Sequence, residues 1–288
     1  MIFGVFERVL STLDAEGQRL LGPAWEGEVS NSLQKLREYY GGRNLLNPHR
    51  VLVDYSGLAT QAAYIFMYAI GRAEFTFQIL RRFRTMSDAP LFSEGVLNIS
   101  SLGGGPASEL VGLIKYLEDP AHGESVSEIF YDVLDKEGDW DELAQLVIES
   151  LDSEIVVRPR FISVDITDSQ RVGQLSLELD HLVMMSFFIS EICELPQAKT
   201  VKDNMEKLLS TMRAGGKLFY NDSNAYSFYA YMNGRARSIK GLTEVHEVQE
   251  QIVFDYGDPG DTYLTYMAKF DVIPHLTSNA LAKFYRRQ

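Results

Sequence analysis

Cysteine is almost missing from this chain: of 288 residues only Cys193 carries a thiol. One thiol excludes an intrachain disulfide and a Cys-rich metal centre. Following Phe187-Phe188 in an apolar run, it reads as a small core residue. Positive charge is scarce as well. Lys and Arg number 27 against 40 Asp and Glu, a formal net charge of -13. That balance argues against nucleic acid as a partner, because neutralising phosphates needs clustered basic residues. Two short basic stretches, Arg81-Arg-Phe-Arg84 and Arg235-Ala-Arg-Ser-Ile-Lys240, read as solvated helix faces. Long apolar runs are lacking too. The most apolar helical stretch, Leu58 to Ile70, falls short of the roughly 20 residues that span a bilayer, so no membrane span is expected and a buried helix is. Met1-Ile-Phe-Gly-Val-Phe-Glu-Arg8 has no basic region leading into an apolar stretch, which predicts no signal peptide and a cytoplasmic location. The histidines, His49, His122, His181, His246 and His275, are scattered and no His-Glu-x-x-His occurs; no metal site is expected.

What is present suffices for a large core. With 45% hydrophobic and 23% charged residues the chain reads as globular. Its pattern changes near residue 90. Before that point the spacing is helical: Phe6, Val9, Leu10 and Leu13, then Val29, Leu33, Leu36 and Tyr40, then Ala59 to Arg84. Gly22-Pro23 and Gly41-Gly42 close the first two helices, and Asn47-Pro48 suits the opening of a third. After a linker at Ser87–Pro90, strands and helices alternate. The strand candidates are Val96–Leu102, Ser127–Leu134, Phe161–Val164, Leu182–Phe187 and Lys217–Tyr220. Near-continuous apolar strands of this kind suit a parallel sheet covered on both faces. Val245–Tyr256 and Thr262–Val272 predict a closing antiparallel pair around the turn Gly257-Asp-Pro-Gly-Asp261. The expected division is a helical region over 1–90, serving as lid or dimer interface, and an α/β domain over 91–288.

The first of these strands runs into Gly103, Gly104 and Gly105, and then into the helical pattern Leu110–Tyr116. Strand, glycine turn and helix bring backbone N–H groups and a helix N-terminus up to a ligand, because glycine has no Cβ to block the approach. A P-loop requires a lysine that is absent here, and a dinucleotide fingerprint places Ser108 where its third glycine belongs. An NAD-linked oxidoreductase is therefore a distant reading.

A third reading draws on more than one motif. Ser101-Leu-Gly-Gly-Gly-Pro-Ala107 resembles the first motif of the class I S-adenosylmethionine-dependent methyltransferases, and Phe130–Asp135 resembles their second strand, ending in an acid. Arg160–Asp165, Asp180–Ser186 and Met205–Tyr220 are similar to the three strands that follow, in the correct order over roughly 95–272. The resemblance implies an α/β, Rossmann-like, mostly parallel seven-stranded sheet with an antiparallel last strand, preceded by an all-helical N-terminal region. It implies S-adenosyl-L-methionine as cofactor, bound by Ser101, Gly103, Gly104, Gly105, Pro106, Asp135, Asp165, Ser186 and Phe187. Asp135 would hold the ribose hydroxyls, and Asp165, rather than the competing Asp168, would lie near the adenine. Two positions depart from the pattern. Ser101 replaces the usual acid, which Asn98 or Glu109 would compensate, and Ala107 replaces a glycine where an ordinary helical backbone is expected.

Methyl transfer needs positioning and desolvation more than a strong catalytic constellation. The segment Tyr220-Asn-Asp-Ser-Asn-Ala-Tyr-Ser-Phe-Tyr-Ala-Tyr231 leaves the C-terminal edge of the sheet and is the candidate substrate-facing stretch. Asn221 and Asp222 are the candidate groups to hold or deprotonate an acceptor, Tyr226, Phe228 and Tyr229 the candidate walls, and Tyr39 and Tyr40 the lid contribution. The expectation is methyl transfer to nitrogen or oxygen of a small-molecule acceptor, with Asn221, Asp222 and Tyr40 acting on it. A protein or peptide methyltransferase and an inactive scaffold of the same fold are the alternatives. A homodimer through the N-terminal helices is the expected assembly, if those helices are not a lid.

Overall fold

The 3.6-residue spacing of Ile2, Val5, Phe6, Val9, Leu10 and Leu13 lays one apolar stripe along α1 (Ile2–Leu21), and all six are buried. Gly22, at φ 51, turns the chain into a short helical turn and then α2 (Trp25–Tyr40). α3 (Leu58–Tyr64) passes through a π turn at Ile65–Ala69 into α4 (Ile70–Thr85). Every residue from Gln61 to Gly71 is buried, as befits a helix that is apolar on all sides. The computed structural model describes residues 1–41, 53–193, 195–253, 260–275 and 277–288. The expected helix opening at Asn47-Pro48, Gly42 and the Gly257–Pro259 part of the expected turn lie outside them.

The α/β part follows as β1 (Val96–Leu102), α5 (Ser108–Leu117), β2 (Glu128–Asp135), α6 (Trp140–Glu149), β3 (Val156–Ser163), α7 (Ser169–Val172) and β4 (Leu182–Ser186). It continues with α8 (Ile189–Ile192), α9 (Ala198–Ser210), β5 (Lys217–Ser223), α10 (Tyr226–Ser238), β6 (Leu242–Val253), α11 (Asp261–Phe270) and β7 (Thr277–Arg287). The seven strands lie in the order β3-β2-β1-β4-β5-β7-β6. β1 to β5 are parallel, and β7 runs antiparallel to both β5 and β6. Strand order reverses beside β1, which opens a crevice at the C-terminal ends of β1 and β4, the place where such sheets take ligands.

Three sequence expectations need correction. The third strand begins at Val156 rather than Phe161, as a largely exposed edge strand whose Arg158-Pro-Arg160 hid it from apolar patterning. Thr262–Val272 does not form the closing strand: Asp261–Phe270 is helix α11, and the closing strand is Thr277–Arg287. Tyr263 and Tyr266, three apart, are buried together, so the buried spacing is helical, and the apparent alternation of Tyr263, Thr265 and Met267 was a coincidence of short range. β5 also extends to Ser223, beyond the expected Tyr220.

The two faces of the sheet carry different layers. Ile99, Met184 and Phe219 join a cluster that includes α1 to α6, whereas Val183, Met185, Leu218 and Tyr220 pack with residues of α8, α9 and α10. α4 and α5 meet closely. A Cβ at Gly112 would lie 2.1 Å from the carbonyl oxygen of Ala73.

Candidate active site

β1 leads into a turn whose backbone only a few residue types tolerate. Gly103 has φ 66 and Gly105 has φ 44, conformations that glycine adopts at no steric cost. Space constrains the turn too: a Cβ at Gly103 would stand 2.5 Å from the Phe188 ring, and one at Gly104 2.9 Å from the Ser101 side chain. Ala107 contradicts its sequence reading. It caps α5 at φ 59, left-handed rather than ordinary helical backbone, at a cost of about 1–2 kcal/mol. Pro106, between them, is buried.

Asp135, at the end of β2, faces this turn. Its Oδ2 accepts a hydrogen bond from the Gly105 N–H at 3.0 Å and its Oδ1 one from the Glu137 N–H at 3.0 Å. Burial pushes its carboxyl up to about 6, against the pull of those two N–H groups. Each oxygen keeps a second lone pair for a ligand. Asp165 lies after β3, where its Oδ1 accepts from the Thr167 N–H and hydroxyl, each at 2.7 Å. Asp168 instead caps α7 through the Gln170 and Arg171 N–H groups. Gly103, Asp135, Asp165, Phe188 and Tyr39 line one cavity of about 220 Å³. Ser101, Gly104, Gly105, Pro106, Ser186 and Phe187 do not line it.

Ser101 is fully buried and donates its hydroxyl to Glu109 Oε1, which also accepts from the Tyr131 hydroxyl at 3.4 Å. Burial raises the Glu109 carboxyl to about 7, opposed by the Ser101 hydrogen bond. A carboxylate thus stands next to position 101 although the acid comes from α5. Asn98 cannot do this. It sits at the other end of β1, donating to the Leu179 carbonyl oxygen at 3.2 Å.

A second group of polar residues lies at the ends of β4 and β5. Ser186 and Asn221 are register partners, so they share a face of the sheet. The Ser186 hydroxyl and both amide atoms of Asn221 are buried without a hydrogen-bond partner. Asp222 points to the opposite face, where Oδ2 accepts from the Ser190 N–H at 2.9 Å and Oδ1 from the Ser223 N–H at 2.8 Å. Burial raises it to about 6. The Tyr40 hydroxyl lies 2.7 Å from that of Tyr55 and donates to Glu191 Oε1 at 3.0 Å. Since Glu191 also lines the cavity, it links Tyr40 to it. Burial first, then the Glu191 charge, drives the Tyr40 hydroxyl well above its ordinary value.

None of the expected aromatic walls, Tyr226, Phe228 and Tyr229, lines the cavity, and Tyr229 packs half-buried against the cluster of α8 to α10. Tyr226 is 75% exposed and Phe228 is buried within the core, because 226–238 is a helix with its own face toward the sheet. The aromatic residues actually present are Tyr55, Tyr64 and Tyr68 near Tyr40, with Trp140 5.1 Å from Tyr55 and 5.3 Å from Tyr64 between ring centres. Sequence reasoning took Tyr64 and Tyr68 as core of a buried helix. Their spacing of four, two helical steps from Arg72, was the signal available.

No protein-family model matches this sequence, and no curated protein matches it. Solved structures of similar outline exist. A Listeria monocytogenes protein assigned as a class I S-adenosylmethionine-dependent methyltransferase aligns at 11% identity and TM-score 0.48, over 98% of this chain and 88% of its own. SAM-dependent methyltransferases from Methanosarcina mazei (6%, 0.44, 67% and 93%) and Aquifex aeolicus (10%, 0.42, 75% and 90%) align less fully. At such identities and scores the likeness carries no argument about chemistry. The strand order with its antiparallel β7, and the glycine turn at the switch point, decide the architecture. It is a Rossmann-like, mostly parallel seven-stranded sheet closed by the antiparallel β7. None of the helices among the described residues is long and apolar enough to cross a membrane.

Proposed function

We propose that the protein transfers a methyl group from S-adenosyl-L-methionine to a nitrogen or oxygen of a small-molecule acceptor. One observation carries this reading: the Asp135 carboxylate and the Gly103 turn share a cavity at the switch point of the sheet. The residues suit the cofactor. Asp135 offers two oxygens to a ribose diol, held in place by backbone N–H groups. Asp165 stands further along the same cavity, in position for an adenine amine. Glu109 supplies the negative charge that Ser101 lacks, toward a cationic amino group.

When bound, S-adenosylmethionine supplies an electrophilic methyl group. The chain's own work is then to hold the acceptor in line and exclude water. Asn221, fully buried with its amide unpaired, is placed to orient the acceptor. Tyr40 and Glu191 are placed to accept its proton through their shared hydrogen bond. Asp222 holds two backbone N–H groups, so it supports the β5 end and Ser190 more directly than it acts as a base. A small acceptor is favoured over a peptide because Asn221 is fully buried and Tyr40 and Glu191 are half-buried.

Calorimetry with purified protein tests the reading. S-adenosylhomocysteine is expected to bind, and a panel of amines and alcohols to be methylated. Absence of any binding of S-adenosylhomocysteine or S-adenosylmethionine sinks it. Binding without turnover on amine, hydroxyl and peptide panels would leave the fold as a scaffold.

A further inference from the structure

Arg72 plays no part in what has been assigned so far. It stands in the first turn of α4, its guanidinium carbon 3.6 Å from the centre of the Phe187 ring and 5.7 Å from that of Tyr40. Among the described residues its guanidinium makes no hydrogen bond and no ion pair. A guanidinium presents five N–H donors in a rigid fork, and stacking on a ring uses none of them. Phe187 is shaped for this contact: it follows β4 in left-handed backbone, at φ 56, a strain of the kind that persists where a site requires it.

Beside this pair lie the unpartnered groups of β4 and β5. Ser186 Oγ and the Asn221 amide are buried, and they point to the face of Met184 and Phe219, the face that α4 covers. The Phe187 N–H donates to the Asn221 backbone carbonyl at 2.8 Å, so the ring that carries Arg72 is tied to the same strand end. Two polar side chains from β4 and β5 thus lie on the sheet face that α4 covers, linked to Arg72 through Phe187, and none of the three satisfies another. Burial of such groups costs free energy unless a partner arrives.

We propose that Arg72, Ser186 and Asn221 form a carboxylate-binding subsite, with the guanidinium fork on the carboxylate oxygens and the amide and hydroxyl on neighbouring atoms of the same ligand. This deepens the methyl-transfer reading and rests on it: the acceptor is a small carboxylic acid. A monoanion fits better than a phosphate dianion. Glu191 and Asp222 already stand near enough, with Tyr64 and Tyr40, to hold the guanidinium above its ordinary value although burial pulls it down, and a second ligand charge would add repulsion among those acids. The carboxylate has two chemical sources, the acceptor or the amino-acid tail of the cofactor. Phe187, Ser186 and Asn221 belong to β4 and β5 rather than to the β1 turn, which favours the acceptor.

Calorimetry on the full chain, comparing wild type with Arg72→Gln and Arg72→Lys, separates the cases. The probes are S-adenosylhomocysteine, 5′-methylthioadenosine (which lacks the amino-acid tail), and a set of small carboxylic acids and their methyl esters added to protein saturated with S-adenosylhomocysteine. Some acids are expected to bind wild type while their neutral esters do not. Arg72→Gln should weaken those acids by about tenfold or more, with Arg72→Lys in between because it keeps charge but not the fork. Unchanged affinity for both nucleosides would show that the variants are folded. If Arg72→Gln instead erases the preference for S-adenosylhomocysteine over 5′-methylthioadenosine, the subsite stands and the cofactor tail fills it. Equal affinities of wild type and Arg72→Gln for every probe overturn the proposal, as does a wild type that binds no acid and shows no tail preference. Failure of wild type to bind either nucleoside sinks the methyltransferase reading instead. The same acids, tested on the free protein, then decide the subsite by themselves.

Discussion

Asp135 and Ala107 show how differently single residues bear on this protein. Asp135→Ala removes a carboxylate that holds the Gly105 N–H in the turn and, on the proposed reading, the ribose. Affinity for S-adenosylhomocysteine should fall by about 1.5–3 kcal/mol, measured by titration calorimetry; unchanged affinity would mean the ribose lies elsewhere. At position 107 two effects nearly cancel. Ala107→Gly relieves about 1 kcal/mol of left-handed strain, but it removes a buried methyl worth about 0.8 kcal/mol and loosens the unfolded chain. Stability should hardly change. Ala107→Val, with a branched Cβ at φ 59, should destabilise by about 2 kcal/mol or more. Urea unfolding of the pair checks this, and equal stability of the two variants would contradict the assigned backbone.

Among the elements, the contact between α4 and α5 controls the most. α4 brings Arg72 to the site and α5 brings Glu109, so their spacing sets the distance between a cation and an acid. Gly112 permits that spacing. Gly112→Ala would put a methyl 2.1 Å from the Ala73 carbonyl oxygen and 3.0 Å from Thr76 Cβ. Helix propensity alone favours alanine by about 1 kcal/mol, yet the overlap is with backbone, which cannot rotate away. We expect net destabilisation of about 1–3 kcal/mol together with weaker S-adenosylhomocysteine binding. A variant more stable than wild type would show that the helices part at no cost. The fate of α11 teaches the complementary lesson. A ten-residue segment with buried tyrosines three apart also alternates, and only packing chose between strand and helix.

Across the whole molecule, buried acids dominate the response to pH. Burial raises Glu109 to about 7 and Asp135, Asp180 and Asp222 to about 6, above their unfolded values near 4. Between pH 4 and 7 the folded chain therefore binds protons that the unfolded chain has lost, and stability falls as pH rises through that window. His181 and His246, lowered by burial, act in the opposite sense but with lesser shifts, and the lowered Asp54 and Glu94 act in that sense only at the acid end, below about pH 5. The ligand-free protein should be more resistant to urea at pH 5 than at pH 8. Greater resistance at pH 8 would mean that these carboxyls are solvated. A cationic group bound at Glu109 would ionise it, so S-adenosylhomocysteine should narrow the difference.

Local pattern was enough for much of this. The turn at Gly103–Gly105, the acids closing β2 and β3, the parallel core strands and the helical start are all short-range features, written in apolar spacing and in glycine where backbone must be left-handed. For the acid missing at Ser101 the sequence offered both Asn98 and Glu109, and only the fold set Glu109, in the first turn of α5, beside the Ser101 hydroxyl. Other features required the folded chain. Arg72 is some 115 positions from Phe187 by their numbers, and no local spacing marks an arginine as buried against that ring. Likewise, nothing in Ser186 or Asn221 alone shows that their polar atoms end without partners. Periodicity records which way a residue faces within its own element; what it faces is decided by how the elements pack.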